Sequence, residues 1–273
     1  MNVGIMIDRG KHNIAGIRVD AVDYEAAVDR IAAAARERRP YSVAAVSVHG
    51  VMVSVRDRVH RYRLNAIDLL TPDGQPVRWA LNLIHGAKLR ERVYGPQLMF
   101  EVCRRAAEEG LPIYILGGYD EMLHDLRARL AVKLPGLQIA GCRPGRYESI
   151  SVEERAALVD EIRSSGAKIL LVGLGCPKQE VFVYEMRDAL SMPALAVGAA
   201  LNFHAGHLPQ APPRMQRWGL EWAFRLLHEP RRLWRRYLLV NPLYLGLFAL
   251  QALGIYSIDP ASAQAPREEL RYG

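Results

Sequence analysis

Two short segments of the chain contain residues that can bind or transform a ligand. In the first, VGLGCPKQE (172–180), an apolar run ends in a glycine-rich turn, and a helix is predicted to begin at the proline. Gly173 and Gly175 allow a tight turn with close approach of the backbone, and proline suits the first helical position. The N–H groups at that helix start, with Lys178 beside them, predict an anion site, although the same turn also occurs for packing alone.

The second segment is TPDGQPV (71–77), which follows the apolar run IDLL (67–70). If that run is a strand, Asp73 lies at its carboxyl end, where ligand crevices open in doubly wound sheets. Pro-Asp-Gly is also a common turn sequence, and an aspartate there can cap the following helix. On residue chemistry alone the turn is the favoured interpretation of Asp73.

Several motifs that define nucleotide and metal sites are absent from the sequence. The glycine-rich segment lacks the third glycine and the later acidic residue of a dinucleotide fingerprint, which disfavours a nucleotide-dependent oxidoreductase, and no Walker motif occurs. No Asp-x-Asp pair is present, and His204 and His207 bring no third metal ligand, so no metal site is predicted. The three cysteines lack Cys-x-x-Cys spacing, which favours a reducing, cytoplasmic setting over a disulfide framework.

The basic charge is concentrated toward the end of the chain. Between residues 214 and 236 there are seven arginines and two glutamates, so this stretch holds most of the formal net charge of +7. If a diphosphate binds without a metal, such arginines can neutralise it. A solvated basic face is the alternative. A nucleic-acid patch is disfavoured, because the segment is rich in leucine and tryptophan and matches no recognised motif.

The most apolar stretch of the chain, residues 237–255, follows these arginines directly. Its length is close to that of a membrane span, but Asn, Pro, Gly and Gln residues interrupt it, which disfavours a transmembrane helix. Two interpretations are equally favoured: a helix in the membrane interface, and a helix packed on the protein core.

Apolar runs of four to six residues alternate with helical patterns, which predicts βαβ units, a mainly parallel sheet and an α/β fold. The predicted strands lie at 43–48, 67–70, 112–116, 137–140, 168–173 and 194–198. The predicted helices lie at 50–63, 75–86, 97–109, 119–132, 152–164 and 178–190. A short strand at 14–20 and an alanine-rich helix are predicted to precede them at the sheet edge. We expect a core over residues 1–212, a basic and apolar helical appendage over 213–258 and a disordered tail over 259–273.

Three segments together resemble the WecG/TagA/CpsF family of glycosyltransferases, which assemble bacterial surface polysaccharides. They are TPDGQPVRWALNLIHGAKLRERVYGPQLM (71–99), VGLGCPKQE (172–180) and VGAALNFHAGHLPQAPPRMQRWGLEWAFRLLHEPRRLWRRYL (197–238). Each segment is weak alone, but the combination is specific, and the resemblance runs from about residue 14 to residue 240.

The resemblance implies a Rossmann-like fold with helices on both faces of the sheet, and a transferase activity. It implies a UDP-sugar donor, with N-acetylmannosamine and its uronic acid among the candidates, and a polyprenyl-diphosphate-linked saccharide as acceptor. Transfer is expected to proceed with inversion, without a metal and without a cofactor. The expected location is the cytoplasmic face of the bacterial inner membrane, as a peripheral or monotopic protein. No nucleic-acid partner is expected, and the possibility that the protein forms a homo-oligomer is left open.

The family motifs also imply roles for individual residues. Asp73 matches the proposed general base, Gln179 the glutamine at the catalytic pocket, and Arg92 the arginine of the Glu-Arg-Val-x-Gly segment. Further arginines match those implied to close over the donor phosphates: Arg214, Arg217, Arg225, Arg231 and Arg232. The match at Asp73 reverses the preference for a simple turn.

Two positions depart from the family pattern. Where the family usually has Thr-x-Asn after the first strand, this chain has Ser-Val-His (47–49), and where it often has Phe-Asp-Phe, this chain has Leu-Asn-Phe (201–203). Ser47, His49 and Asn202 are therefore predicted to line the donor or acceptor pocket and to influence which sugar binds. These departures also motivate the alternative of a catalytically inactive membrane-surface scaffold, which the retained aspartate and glutamine disfavour.

Overall fold

The computed structural model describes residues 6–273, apart from the side chains of Pro213, Arg217, Arg232 and Arg236. Its strands are β1 (Asp8–Ile14), β2 (Ile17–Val22), β3 (Tyr41–Val46), β4 (Leu69–Pro72), β5 (Ile113–Gly117), β6 (Ile139–Arg143), β7 (Ile169–Gly173) and β8 (Pro193–Ala196). Six of them form one parallel sheet in the order β4-β3-β8-β7-β5-β6. The predicted α/β class with a mainly parallel sheet is confirmed.

Helices cover both faces of this sheet. They are α1 (Tyr24–Arg36), α2 (Val48–Arg56), α3 (Arg58–Ala66), α4 (Gln75–His85), α5 (Gly95–Glu109), α6 (Asp120–Lys133), α7 (Val152–Ser164), α8 (Lys178–Met186) and α9 (Ala200–Ala205). One core lies under α2, α3, α4, α7 and α8, and the other under α1, α5, α6 and α9. Alternate strand residues enter the two cores: Leu170 and Val172 of β7 face the first, and Ile169 and Leu171 the second.

Two local predictions are wrong. The single helix predicted at 50–63 is divided into α2 and α3 at Asp57, whose carboxylate accepts the N–H groups of Val59 and His60 and so starts a new helix. The single strand predicted at 14–20 is instead the turn and flanks of an antiparallel hairpin formed by β1 and β2. Ala15 and Gly16 form that turn, and both have positive φ angles, 49° and 91°.

The appendage consists of α10 (Pro213–Arg217), α11 (Glu221–His228), α12 (Pro230–Arg235), a π-helical turn (Arg236–Val240) and α13 (Asn241–Ala252). One side of α13 packs on α4 and α2: Tyr244 is buried, and its hydroxyl donates to the carbonyl oxygen of Pro76 at 3.1 Å. Other apolar side chains of this region are exposed, among them Leu238, Leu243 and Leu253. In the described part of the chain, no helix has both the length and the apolar character needed to cross a membrane.

In the structure, residues 259–273, the segment predicted to be a disordered tail, make several contacts with the core. A short 3₁₀ turn forms at Pro260–Ser262, and the N–H of Gln264 donates to the carbonyl oxygen of Arg58 at 3.0 Å. Further on, Tyr272 forms an antiparallel bridge with Ser149. Backbone hydrogen bonds to core loops order this segment, which has no apolar run that the sequence could have revealed.

Replacing Asp20 by alanine is expected to destabilise the fold. Asp20 is 1% exposed, and its carboxylate accepts hydrogen bonds from the N–H of Leu70 at 2.7 Å and the guanidinium of Arg30 at 3.1 Å. Because the N–H of Leu70 loses its acceptor and Arg30 and Lys11 lose a buried ion-pair partner, we expect the free energy of unfolding to fall by about 3 kcal/mol in urea denaturation. Asp29→Ala is the control, since Asp29 pairs with Arg105 at the surface, and a change below about 1 kcal/mol is expected there. Equal losses in the two variants would contradict the structural role of Asp20.

Candidate functional site

A cavity of about 610 Å³ opens at the carboxyl edge of the sheet, beyond β3, β4, β7 and β8. The strands are parallel, so the loops that follow them converge at this edge, which is where doubly wound folds bind their ligands. Many of the residues singled out in the sequence line the cavity: Ser47, His49, Asp73, Gly173, Gly175, Gln179, Asn202 and Arg225. The structure therefore brings together the two chemically suggestive segments and part of the appendage.

Asp73 directly follows β4 and faces the cavity. Its N–H donates to the carbonyl oxygen of Val46 at 3.1 Å, and its Oδ1 accepts the N–H of Gly95, the first residue of α5, at 2.8 Å. It does not cap α4, because the N-cap position of that helix is Gly74. The capping role considered for Asp73 in the following helix is therefore wrong, and the carboxylate is instead held between β3 and α5.

A second carboxylate, which the sequence analysis did not identify, lies close to Asp73. Glu221, in the first turn of α11, forms an ion pair with Arg92 in which the two side chains are only 11% and 12% exposed. The guanidinium of Arg92 also lies over the ring of Tyr94, 4.3 Å from its centroid. This pair joins the appendage to the core. The available signal was a glutamate within an arginine-rich segment, but nothing in the sequence showed which arginine it would meet.

The surroundings of Asp73 raise its pKa. Protein packed around the half-buried carboxyl is the largest cause, and the charge of Glu221 acts in the same direction. Arg92, the N–H of Gly95 and Arg225 oppose the rise by favouring the charged form. Since Glu221 is paired with Arg92, its negative charge offsets part of the lowering of the Asp73 pKa by that guanidinium. The result is a carboxylate with increased proton affinity next to two arginines.

Gln179, in the first turn of α8 beyond β7, also lines the cavity. Its Oε1 accepts the N–H of Gly175 at 3.2 Å, and its Nε2 donates to Oε1 of Glu180 at 3.1 Å. Both side chains are buried in the first turn of α8. Gly198, with a φ of 55°, makes room for this amide, since a Cβ atom there would lie 3.1 Å from Oε1 of Gln179.

Lys178 points away from the cavity that its neighbour Gln179 lines. Its ammonium group donates to the carbonyl oxygen of Tyr147 and lies 5.4 Å from the ring centroid of Tyr272. It is Tyr147, rather than Lys178, that lines the cavity. The role of Lys178 as a direct anion ligand therefore stays a prediction, and the structure assigns it a contact with the adjoining loop.

The predicted appendage arginines differ in position. Arg225 lines the cavity, with its guanidinium 5.8 Å from the ring centroid of Phe203. Arg214 and Arg231 are exposed and do not line it. The side chains of Arg217 and Arg232 lie outside the described part of the structure.

The two histidines with metal-like spacing serve other contacts. His204 Nε2 lies 2.8 Å from the carbonyl oxygen of Pro96, and His207 lies between the hydroxyl of Tyr119 at 2.7 Å and the carboxylate of Asp125 at 2.9 Å. Among the side chains that the structure describes, no group of three or more His, Cys, Asp or Glu residues is arranged to hold a metal ion.

A second, apolar groove of about 420 Å³ adjoins the cavity between α4 and the appendage. It shares Ser47, His49, Asp73 and Arg225 with the cavity. Most of its remaining wall is aromatic or aliphatic: Val48, Pro76, Trp79, Trp222, Tyr237, Leu238, Pro242, Tyr244 and Leu245. The cavity with its charged residues and the apolar groove are therefore continuous.

These features define a class of protein: an open parallel α/β fold with acid–base and cationic groups around a cavity at the carboxyl edge of its sheet. The chain matches the model of the glycosyl transferase WecG/TagA/CpsF family over residues 12–257. That match covers most of the 273 residues, so the chain belongs to this family and is a glycosyltransferase. The resemblance seen in three sequence segments is confirmed.

Replacing Arg92 and Glu221 separately by glutamine is expected to shift the pKa of Asp73 in opposite directions. Arg92 favours the charged carboxylate, so its removal raises the pKa further, whereas removal of Glu221 lowers it. NMR titration of the Asp73 carboxyl carbon measures both shifts without any substrate. Glu121→Gln, an exposed change on α6, is the control and should leave the titration unchanged. Shifts of the same sign in the two variants would contradict this electrostatic arrangement.

Proposed function

We propose that the protein is an inverting, metal-independent transferase that moves a sugar from UDP to a polyprenyl-diphosphate-linked saccharide. The observation that carries the proposal is Asp73, a carboxylate of raised pKa that faces a cavity it shares with Arg225 and Gln179. The family resemblance supplies the candidate donors: UDP-linked N-acetylmannosamine, its uronic acid and related sugars.

The environment of Asp73 supports the role of general base. In an inverting transfer, the acceptor hydroxyl oxygen attacks the anomeric carbon from the face opposite UDP. The new carbon–oxygen bond forms as the bond to the β-phosphate oxygen breaks, and that electron pair leaves with UDP. Asp73 accepts the hydroxyl proton, and its raised pKa makes the ionised carboxylate a stronger base than an exposed aspartate.

Arg225 and Gln179 support the other half of the reaction. Negative charge develops on the UDP oxygens as the bond breaks, and a fixed guanidinium in the cavity stabilises it without the need to reorganise solvent. Gln179 adds an amide whose orientation is fixed by Gly175 and Glu180. Because Arg225 belongs to α11, the appendage contributes directly to the cavity.

The apolar groove supports an amphipathic acceptor. A lipid-linked saccharide presents an anionic diphosphate between its sugar and its hydrocarbon chain. In the groove, Arg92 and Arg225 lie near Asp73, and the wall continues to Leu238 and Leu245. Exposed leucines and tryptophans of the appendage adjoin this groove, which suits a peripheral protein held at an anionic bilayer surface.

Replacing Asp73 by asparagine is expected to lower kcat for sugar transfer by about 10²- to 10⁴-fold, the usual contribution of a positioned general base. UDP release is measured for a panel of UDP-sugars, with a short-chain polyprenyl-diphosphate-linked sugar as acceptor. UDP binding should persist in the variant, because the amide keeps the shape of the carboxyl group. Asp160→Asn, an exposed change on α7, is the matched control and should keep wild-type activity.

Two outcomes would contradict this assignment. If the Asp73→Asn variant transferred sugar at the wild-type rate, Asp73 could not be the general base. If UDP raises the melting temperature of the wild type but no donor is consumed with any acceptor, the protein behaves as a non-catalytic scaffold.

Changes in the apolar groove are expected to weaken acceptor binding selectively. Loss of the apolar contact at Trp79→Ala or Leu245→Asp should raise KM about tenfold or more for a water-soluble acceptor with a few isoprene units, while KM for the donor stays constant. Leu253→Asp is the control: this residue is 72% exposed and does not line the groove. It should act normally on the soluble acceptor and lose activity on vesicles. Equal acceptor KM values for all three variants and the wild type would contradict a lipid-binding groove.

A further inference from the structure

The last described residues of the chain reach the wall of the cavity. We propose that residues 268–273, here named the strap, are a positioning element that holds Tyr147 against the cavity. The family match ends at residue 257, so the strap lies outside it. The functional consequence rests on the proposed function, because it assumes that a UDP-linked donor occupies the cavity.

The strap pairs with the loop at residues 146–150 through its backbone. The N–H groups of Arg146 and Tyr147 both donate to the carbonyl oxygen of Gly273, at 3.0 and 3.2 Å. The N–H of Ile150 donates to the carbonyl oxygen of Arg271 at 2.8 Å. The hydroxyl of Ser149 donates to the carbonyl oxygen of Leu270 at 2.7 Å. Among the described residues, the strap supplies most of the backbone hydrogen-bond partners of this loop.

The other side of the strap is fixed to α8. The carboxylate of Glu185 accepts the N–H groups of Leu270 and Arg271, each at 2.9 Å. Glu185 is itself held by Arg63 of α3 at 3.7 Å, and both of these side chains are almost fully buried. The strap therefore connects the loop at residues 146–150 to a buried ion pair in the core.

Tyr147 is the point at which this arrangement meets the cavity. It lines the cavity and has a φ of 60°, a conformation that a non-glycine residue holds only when its surroundings fix it. The surroundings are three: Gly273 accepts its N–H, Lys178 donates to its carbonyl oxygen, and its hydroxyl accepts the N–H of Gly118 at 2.7 Å. The ring of Tyr272 lies under the ammonium group of Lys178 and so helps to hold Lys178 against Tyr147.

This arrangement gives Lys178 of the Pro-Lys-Gln-Glu motif an indirect role. Its charge is used to fix the loop through Tyr147 and Tyr272, while the next residue, Gln179, faces the ligand space. If the strap is removed, the loop must be ordered at the moment of binding, and ligand affinity falls by that cost. Tyr272 is accordingly a positioning residue that acts through Lys178.

The test compares Tyr272→Ala, Tyr272→Phe and Lys178→Met in the full chain with UDP as the probe. Tyr272→Ala should raise the Kd of UDP about two- to fivefold, whereas Tyr272→Phe, which keeps the aromatic face, should match the wild type. The double variant Lys178→Met with Tyr272→Ala should bind no more weakly than Lys178→Met alone, because both changes break one contact. Melting temperatures should stay close to that of the wild type. Equal weakening by Tyr272→Phe and Tyr272→Ala, or additive effects in the double variant, would overturn the proposal.

A second measurement needs neither UDP nor transfer. Deletion of residues 268–273 should speed hydrogen exchange at the amides of residues 146, 147 and 150 while the amides of β5 and β7 keep their protection. Arg267→Ala, an exposed change just before the strap, is the control and should leave exchange unaltered. Unchanged exchange in the loop after deletion would overturn the role of the strap. If the wild type fails to bind UDP, the proposed function fails instead, and the exchange experiment still decides the question of the strap.

Discussion

The arrangement of the site depends on one electrostatic constraint: a half-buried carboxylate must stay close to two guanidinium groups without forming a closed ion pair with either. Glu221 satisfies this constraint by pairing with Arg92, so that part of the positive charge facing Asp73 is already neutralised. An arginine without such a partner would favour the ionised form of Asp73 more strongly and lower its basicity. Glu221, which raises the pKa of Asp73, belongs to the appendage. The appendage is therefore part of the site.

The backbone around the cavity is shaped by close approaches that only glycine permits. A Cβ atom at Gly173 would lie 2.3 Å from a methyl carbon of Leu201, and one at Gly117 would lie 2.6 Å from the carbonyl oxygen of Gly173. The first approach lets α9 pack against the end of β7, and the second lets the ends of β5 and β7 lie close together. The helix α9 carries Asn202, which lines the cavity, so the close approach at Gly173 helps to place this side chain there.

The sequence predicts those parts of the structure that depend on local chemistry. The six strands and most of the helices follow from apolar runs and capping residues. The site roles of Asp73 and Gln179 instead came from the family resemblance, because residue chemistry alone favoured a turn at Asp73. The contacts that complete the site join residues far apart in the chain, such as Arg92 with Glu221, and no local pattern encodes them. The direction of Lys178 was unpredictable for the same reason, since it depends on Tyr272, almost a hundred residues away, in a segment whose polar composition indicates disorder.

The appendage has two surfaces with opposite requirements, and the same helices provide both. On the inner side, Tyr244 is buried against α4, Glu221 pairs with Arg92 and Arg225 lines the cavity, so this side needs a fixed docking position. On the outer side, exposed leucines remain in water unless a bilayer or another apolar surface covers them. If the outer side lies in a membrane interface, as proposed, burial of these leucines stabilises the docked appendage as well. Membrane contact and completion of the site are then linked by mass action, because a ligand that binds only the docked state increases its population.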